Sequence, residues 1–171
     1  MSSHQDRALS WSDVGSAAGA ARATDLSEEP PAAGPAAALG VLLLCALDTD
    51  LISLLDILGT SGRNIYWYTT RVDAAAGVNS ALVPVVLCDR NLPDGDWKDV
   101  LRRLSRLPNP PCLIVADRLA DDSLWAEVLN LGGYDVLLKP FDHTEVLRTV
   151  DLAWRAWMRD TPAHPTGINA A

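Results

Sequence analysis

One alternation constrains this chain more than any other feature: five short apolar runs, each followed by a stretch of helical spacing. The runs cover residues 41–47, 64–69, 84–88, 112–116 and 134–138. Unbroken apolar runs of this length mark strands buried on both faces. The segments between them read as helices over 49–59, 71–79, 96–107, 121–131 and 142–159. Leu51, Leu54, Leu55 and Leu58 share one helical face, and Gly59 and Gly62 stop that helix. Trp97, Val100, Leu101 and Leu104 repeat the pattern. Asp121, Asp122 and Ser123 offer an N-cap and favourable first-turn charge, and Gly132-Gly133 closes the helix they open.

Strands alternating with helices imply a parallel sheet covered on both faces. Right-handed crossovers leave few arrangements. The expected fold is a flavodoxin-like (βα)5 doubly wound sheet of strand order 2-1-3-4-5. Such folds place their sites at the carboxyl ends of the strands.

The alternation occupies residues 40–160 of 171. Residues 1–39 are rich in Ala, Ser, Gly and Pro with few core-forming side chains, which predicts a disordered tail. Residues 161–171 read as a second flexible tail, too short for a DNA-binding module. The net charge is −8, from 14 basic and 22 acidic residues. That balance argues against nucleic acid or an anionic membrane as partner, since both select clustered Lys and Arg. No run reaches the ~20 apolar residues that span a bilayer. Cys45, Cys88 and Cys112 all sit in apolar runs and read as buried thiols, as expected of a cytoplasmic protein. His4, His143 and His164 lack zinc-ligand spacing.

Two strand ends carry chemistry. Asp89 ends the third strand, ahead of a loop shaped by Pro93 and Gly95. A carboxylate there serves as nucleophile, metal ligand or helix cap. Lys139 ends the fifth strand, held extended by Pro140. A cis Lys139–Pro140 bond would aim its ammonium across the sheet edge.

These residues resemble those of bacterial response-regulator receiver domains. Asp89 with Leu92-Pro93-Asp94-Gly95-Asp96 resembles the phosphoacceptor loop, Lys139-Pro140-Phe141 the lysine motif, and Gly132-Gly133-Tyr134-Asp135 the turn before the last strand. The resemblance covers residues 41–158 and implies a non-enzymatic signalling role in a phosphorelay. Asp89 would accept a phosphoryl group from a histidine kinase, while magnesium and Lys139 offset its charge.

The chain departs from that pattern at four places. Ala46 and Leu47 fall where the family has its metal-binding acids, leaving Asp48, one residue late, and Asp89 as a weakened magnesium set. Ala116 takes the position of a phosphoryl-binding Ser or Thr, and Val136 that of the switch aromatic. Three readings follow. The leading one is a single-domain response-regulator-like protein in a phosphorelay, with Asp89 as candidate phosphoacceptor and output through protein contacts. The second is a phosphorylation-independent pseudo-receiver. The third is a flavodoxin-like ligand-binding domain or enzyme, disfavoured because residues 46–50 contain no glycine. Trp154 and Trp157, with Arg155 and Arg159, form a candidate partner surface on the last helix, suited to a homodimer or another signalling protein.

Overall fold

The computed structural model describes residues 40–78 and 83–161. The two predicted tails, apart from Thr161, lie outside the described residues. Five parallel strands form the central sheet: β1 (Gly40–Leu44), β2 (Asn64–Tyr68), β3 (Val85–Asp89), β6 (Cys112–Asp117) and β7 (Asp135–Leu138). Their order is β2-β1-β3-β6-β7. This is the flavodoxin-like arrangement expected from the alternation. Five helices connect them: α1 (Asp48–Gly59), α2 (Arg71–Val78), α3 (Trp97–Leu104), α4 (Asp122–Leu131) and α5 (His143–Asp160).

Strand periodicity of two divides the core into two layers. Leu42, Leu44, Val86, Cys88, Leu113 and Val115 pack with Trp97, Val100 and Leu104 of α3 and with Leu124 and Val128 of α4. The alternate residues Val41, Leu43, Val85, Leu87, Ile114 and Leu137 pack with Leu54 and Leu58 of α1 and with Val146, Val150 and Ala153 of α5. Burying each of the Val, Leu and Ile side chains contributes about 1.5–3 kcal/mol. Every residue of β1 and β3 is buried, which is why these strands read as continuous apolar runs.

The β3–α3 connection, expected to be a loop, contains a small hairpin. Asn91–Leu92 (β4) pairs antiparallel with Gly95–Asp96 (β5), with Pro93-Asp94 at the tip. Asp96 then caps α3, its carboxylate accepting from the backbone N–H groups of Lys98 and Asp99. Gly95 sits at φ +155°, and a Cβ there would come 2.6 Å from the Arg71 Nε. Helix α4 ends at Gly132 in the left-handed conformation, as its glycine pair suggests. Among the described residues no helix is long and apolar enough to cross a membrane.

Candidate functional site

The carboxyl ends of β1, β3 and β7 meet at one edge of the sheet. Asp89 is the last residue of β3 and only 3% exposed. The chain turns away after β1, so the Ala46 N–H points across the edge and donates to Asp89 Oδ2 at 2.9 Å. Beyond β7, the Lys139 N–H donates to the Asp117 carbonyl, continuing the ladder by one residue. The Lys139–Pro140 peptide is cis. Lys139 is 8% exposed, and its ammonium lies 2.6 Å from Asp89 Oδ1. The two residues singled out at the strand ends are thus brought into direct contact.

A third charged group completes the cluster. Asp50, in the first turn of α1, is 7% exposed, and its Oδ2 accepts a hydrogen bond from Lys139 Nζ at 2.8 Å. Burial alone would pull the lysine pKa down, but Asp50 and Asp89 outweigh it and hold it above its usual 10.5. The Phe141 ring lies 6.0 Å from the ammonium. At the rim, Arg118 Nη2 is 3.6 Å from Asp50 Oδ1, and Arg90 Nη1 is 3.6 Å from Asp117 Oδ2. Three acids and three bases therefore face one another.

Cys45 lies buried beside this cluster. Burial, reinforced by the Asp89 and Asp50 charges and opposed by Lys139, pushes its thiol up to about 12. It stays a protonated, unreactive thiol at neutral pH. Cys88 is driven upward as well, first by its own burial.

Asp50 is the site residue that the sequence reading missed. The signal was present: Asp50, Leu54, Ile57 and Leu58 form the buried stripe of α1, and an acid in such a stripe calls for an internal partner. Asp48, the acid selected instead, is exposed. It lies about 200° around the helix from Asp50, so the two cannot face the same pocket. Ala46 contributes its backbone N–H, and Leu47 is exposed. Ala116 pairs in register with Asp89 and brings no hydroxyl to it. Val136 sits half-buried on β7, opposite Val115.

A magnesium-type ion takes about six oxygens at roughly 2.0–2.1 Å. Among the described residues no group of three or more His, Cys, Asp or Glu converges to hold a metal. The two buried carboxylates converge on an ammonium instead. In this arrangement the side chains do not fit such an ion.

The indoles of α5 are placed inward. Trp157 is 7% exposed, and Trp154 is half-buried with the Arg63 guanidinium 5.2 Å from its ring centroid. Arg63 is tied in turn to Asp151. The open indole is on α4: Trp125 is 50% exposed and donates through Nε1 to Asp135. With Val136 and Leu138 it lines a shallow hollow of about 390 Å³ rimmed by Asp121, Asp122 and Glu145.

A family model described as the response regulator receiver domain matches residues 49–151, more than half of the chain. No curated protein sequence matches. Several solved structures share the fold. The signal receiver domain of a protein assigned as a LuxO repressor in Vibrio parahaemolyticus has a TM-score of 0.67 at 21% identity, covering 71% of this chain and 94% of its own. The receiver domain of an HD domain-containing protein from Pseudomonas fluorescens Pf-5 gives 0.65 at 22%, covering 72% and 99%. The beryllofluoride-activated NtrC4 receiver domain, solved as a dimer, gives 0.64 at 23%, covering 68% and 97%.

Proposed function

Since the chain belongs to the response regulator receiver domain family of two-component signalling, we propose that it is a pseudo-receiver, signalling through protein contacts in the cytoplasm without turning over a phosphoryl group. One observation carries this reading. Both oxygens of the nearly inaccessible Asp89 are engaged internally, Oδ2 by the Ala46 N–H and Oδ1 by the Lys139 ammonium. An attacking carboxylate needs an oxygen aimed at the incoming phosphorus and a cation or hydroxyl to receive the developing charge. Ala116 supplies no hydroxyl, and the carboxylates do not converge on a metal-binding arrangement.

The retained contact between Asp89 and Lys139 favours a second reading, in which a histidine kinase phosphorylates Asp89 slowly. Intact-mass measurement after incubation with a small-molecule phosphoryl donor and magnesium separates the two. Unchanged mass is expected. A gain of one phosphoryl unit that disappears in Asp89→Asn would overturn the pseudo-receiver reading.

The contact surface this reading favours is the α4–β7–α5 face. Trp125 and Leu138 are exposed there beside an acidic rim, while Arg148 and Arg155 are exposed on α5. An exposed indole and leucine over an acidic rim, with exposed arginines elsewhere on α5, suit pairing with a second copy, and the likeness to a dimeric NtrC4 receiver fits such pairing. Trp154 and Trp157 serve this surface from behind, by seating α5 on the sheet. Sedimentation equilibrium of the parent and Trp125→Glu tests the pairing. A dimer weakened at least tenfold by the substitution is expected; a monomer at all concentrations would count against the self-pairing.

A further inference from the structure

We propose that the Lys139 ammonium is the resident cation of this site, drawn in by Asp50 from the first turn of α1, and that it closes the site to divalent metal ions. The proposal deepens the pseudo-receiver reading and rests on its description of Asp89 as internally engaged.

All four carboxylate oxygens of the cluster are assigned. Asp50 Oδ2 and Asp89 Oδ1 lie 2.8 and 2.6 Å from the ammonium. Asp89 Oδ2 takes the Ala46 N–H, and Asp50 Oδ1 faces Arg118. Both contacts to Lys139 are short. The one to Asp50 is a directed hydrogen bond. The ammonium is closer still to Asp89 Oδ1, a wholly buried oxygen with no other partner. Asp50, reaching in from α1, fixes where the ammonium sits, and Asp89 is its second counter-charge.

A divalent ion entering here would displace the ammonium or share its oxygens. Displacement strands a buried lysine without a partner, and sharing puts three positive charges against two carboxylates. Lys139 and Arg118 already balance Asp50 and Asp89, so a metal finds no uncompensated negative charge. Asp48, exposed outside the cluster, does not alter that balance.

Thermal unfolding of the full chain in MgCl2, against KCl of equal ionic strength, tests the proposal. The parent Tm is expected to be the same in both salts. Lys139→Met should lower Tm and create a saturable magnesium response of about 4 °C at tenfold excess over half-saturation. Adding Asp50→Asn to Lys139→Met should abolish that response, whereas Asp48→Asn should leave it intact. A saturable magnesium shift in the parent would overturn the proposal. So would a Lys139→Met protein indifferent to magnesium, or a response that survives Asp50→Asn. Lys139→Gln, which keeps a hydrogen-bond donor for Asp50, serves the same comparison if the methionine variant does not fold. The parent alone provides an independent readout: paramagnetic Mn2+ should leave the amide signals of Ala46, Asp50 and Asp89 unbroadened, and site-specific broadening overturns the closure. Failure of the pseudo-receiver reading is separable, because phosphoryl mass gained in metal-free buffer would refute that reading while leaving the parent indifferent to magnesium.

Discussion

Two charged clusters tie separate elements together near the carboxyl edge of the sheet, and they do so in different ways. The Asp50–Lys139–Asp89 cluster joins α1, β3 and the end of β7 with side chains that are almost wholly buried. The Arg71–Asp94–Asp99 cluster joins α2, the β4–β5 hairpin and α3 at the surface. In the first, charge meets charge, and one backbone group, the Ala46 N–H, joins them. In the second, backbone groups do much of the holding: Asp94 accepts from the backbone N–H groups of Arg71 and Val72, and the Arg71 Nε donates to the Asp94 carbonyl at 2.6 Å. Burial makes the first cluster hinge on Lys139, because removing that cation leaves Asp89 unpaired in low dielectric. The second is solvated and divisible, since water replaces what a mutation removes.

The largest expected effect follows from that contrast. Lys139→Met should lower the free energy of unfolding by about 3–5 kcal/mol, because it leaves buried Asp89 without a cation and Asp50 with only Arg118 at the rim. Asp50→Asn should lower it by less, about 1–3 kcal/mol, since Asp89 keeps its partner and the amide still offers an acceptor. Urea titration at neutral pH reads both. If Lys139→Met were as mild as a surface substitution, the distinction between the clusters would collapse.

The pH dependence separates the clusters next. Lys139 is raised above 10.5 and Cys45 to about 12, so near those values the folded state binds protons that the unfolded chain releases. Groups with raised folded-state pKa contribute stability that is complete below their unfolded values and disappears as pH rises through the folded ones. The urea midpoint should therefore decline steadily above pH 9, where a thiol in the unfolded chain ionises. Cys45→Ala should remove part of the early decline, leaving the share of the raised thiols Cys88 and Cys112, and Asp94→Asn should leave its shape unchanged. A flat midpoint between about pH 9 and 11 in the parent would mean that these thiols and Lys139 are open to water.

How much of this was legible beforehand depends on what each residue's neighbours reveal locally. Strands β1, β3 and β6 announce themselves because burial on both faces leaves no charged residue ahead of their last position. Asp89 and Lys139 stand out because a charge ending such a run must sit at the sheet edge. Asp50 does not, because an acid in the first turn of a helix already has a sufficient local reason in the helix dipole. Its true partner, Lys139, is 89 residues away and comes within reach only when α1 crosses the end of β1. The β4–β5 hairpin was illegible for another reason: two-residue strands are made by backbone pairing, which leaves no side-chain period to read. The inward turn of Trp154 and Trp157 was only half legible. Their spacing marks an apolar face, but Arg63, which covers part of it, enters from the α1–β2 connection.

The surface cluster should yield in small, separable steps. Asp94→Ala removes the acceptor at the start of α2 and should lower stability by about 1 kcal/mol, the usual worth of a lost helix cap. The loss should be local: hydrogen exchange of the Arg71 and Val72 amides and of the β4–β5 hairpin should accelerate, while amides of β1 and β3 keep their protection.

Arg102→Ala is the smallest step and the sharpest check on divisibility. Arg102 pairs with Asp99 one turn back on α3, and its side chain is mostly exposed. Asp99 keeps Arg71 as a second partner 3.5 Å away, so the substitution strands no charge. A solvated pair of this spacing contributes about 0.3–0.5 kcal/mol, and salt near 1 M, with a Debye length of about 3 Å, should erase most of that difference. Urea titrations of parent and variant at low and high salt would show it. A loss above about 1.5 kcal/mol that persists in high salt would exceed any exposed pair. Arg71, Asp94, Asp99 and Arg102 would then behave as one unit, as Asp50, Lys139 and Asp89 are expected to do, and burial would no longer be what distinguishes the two clusters.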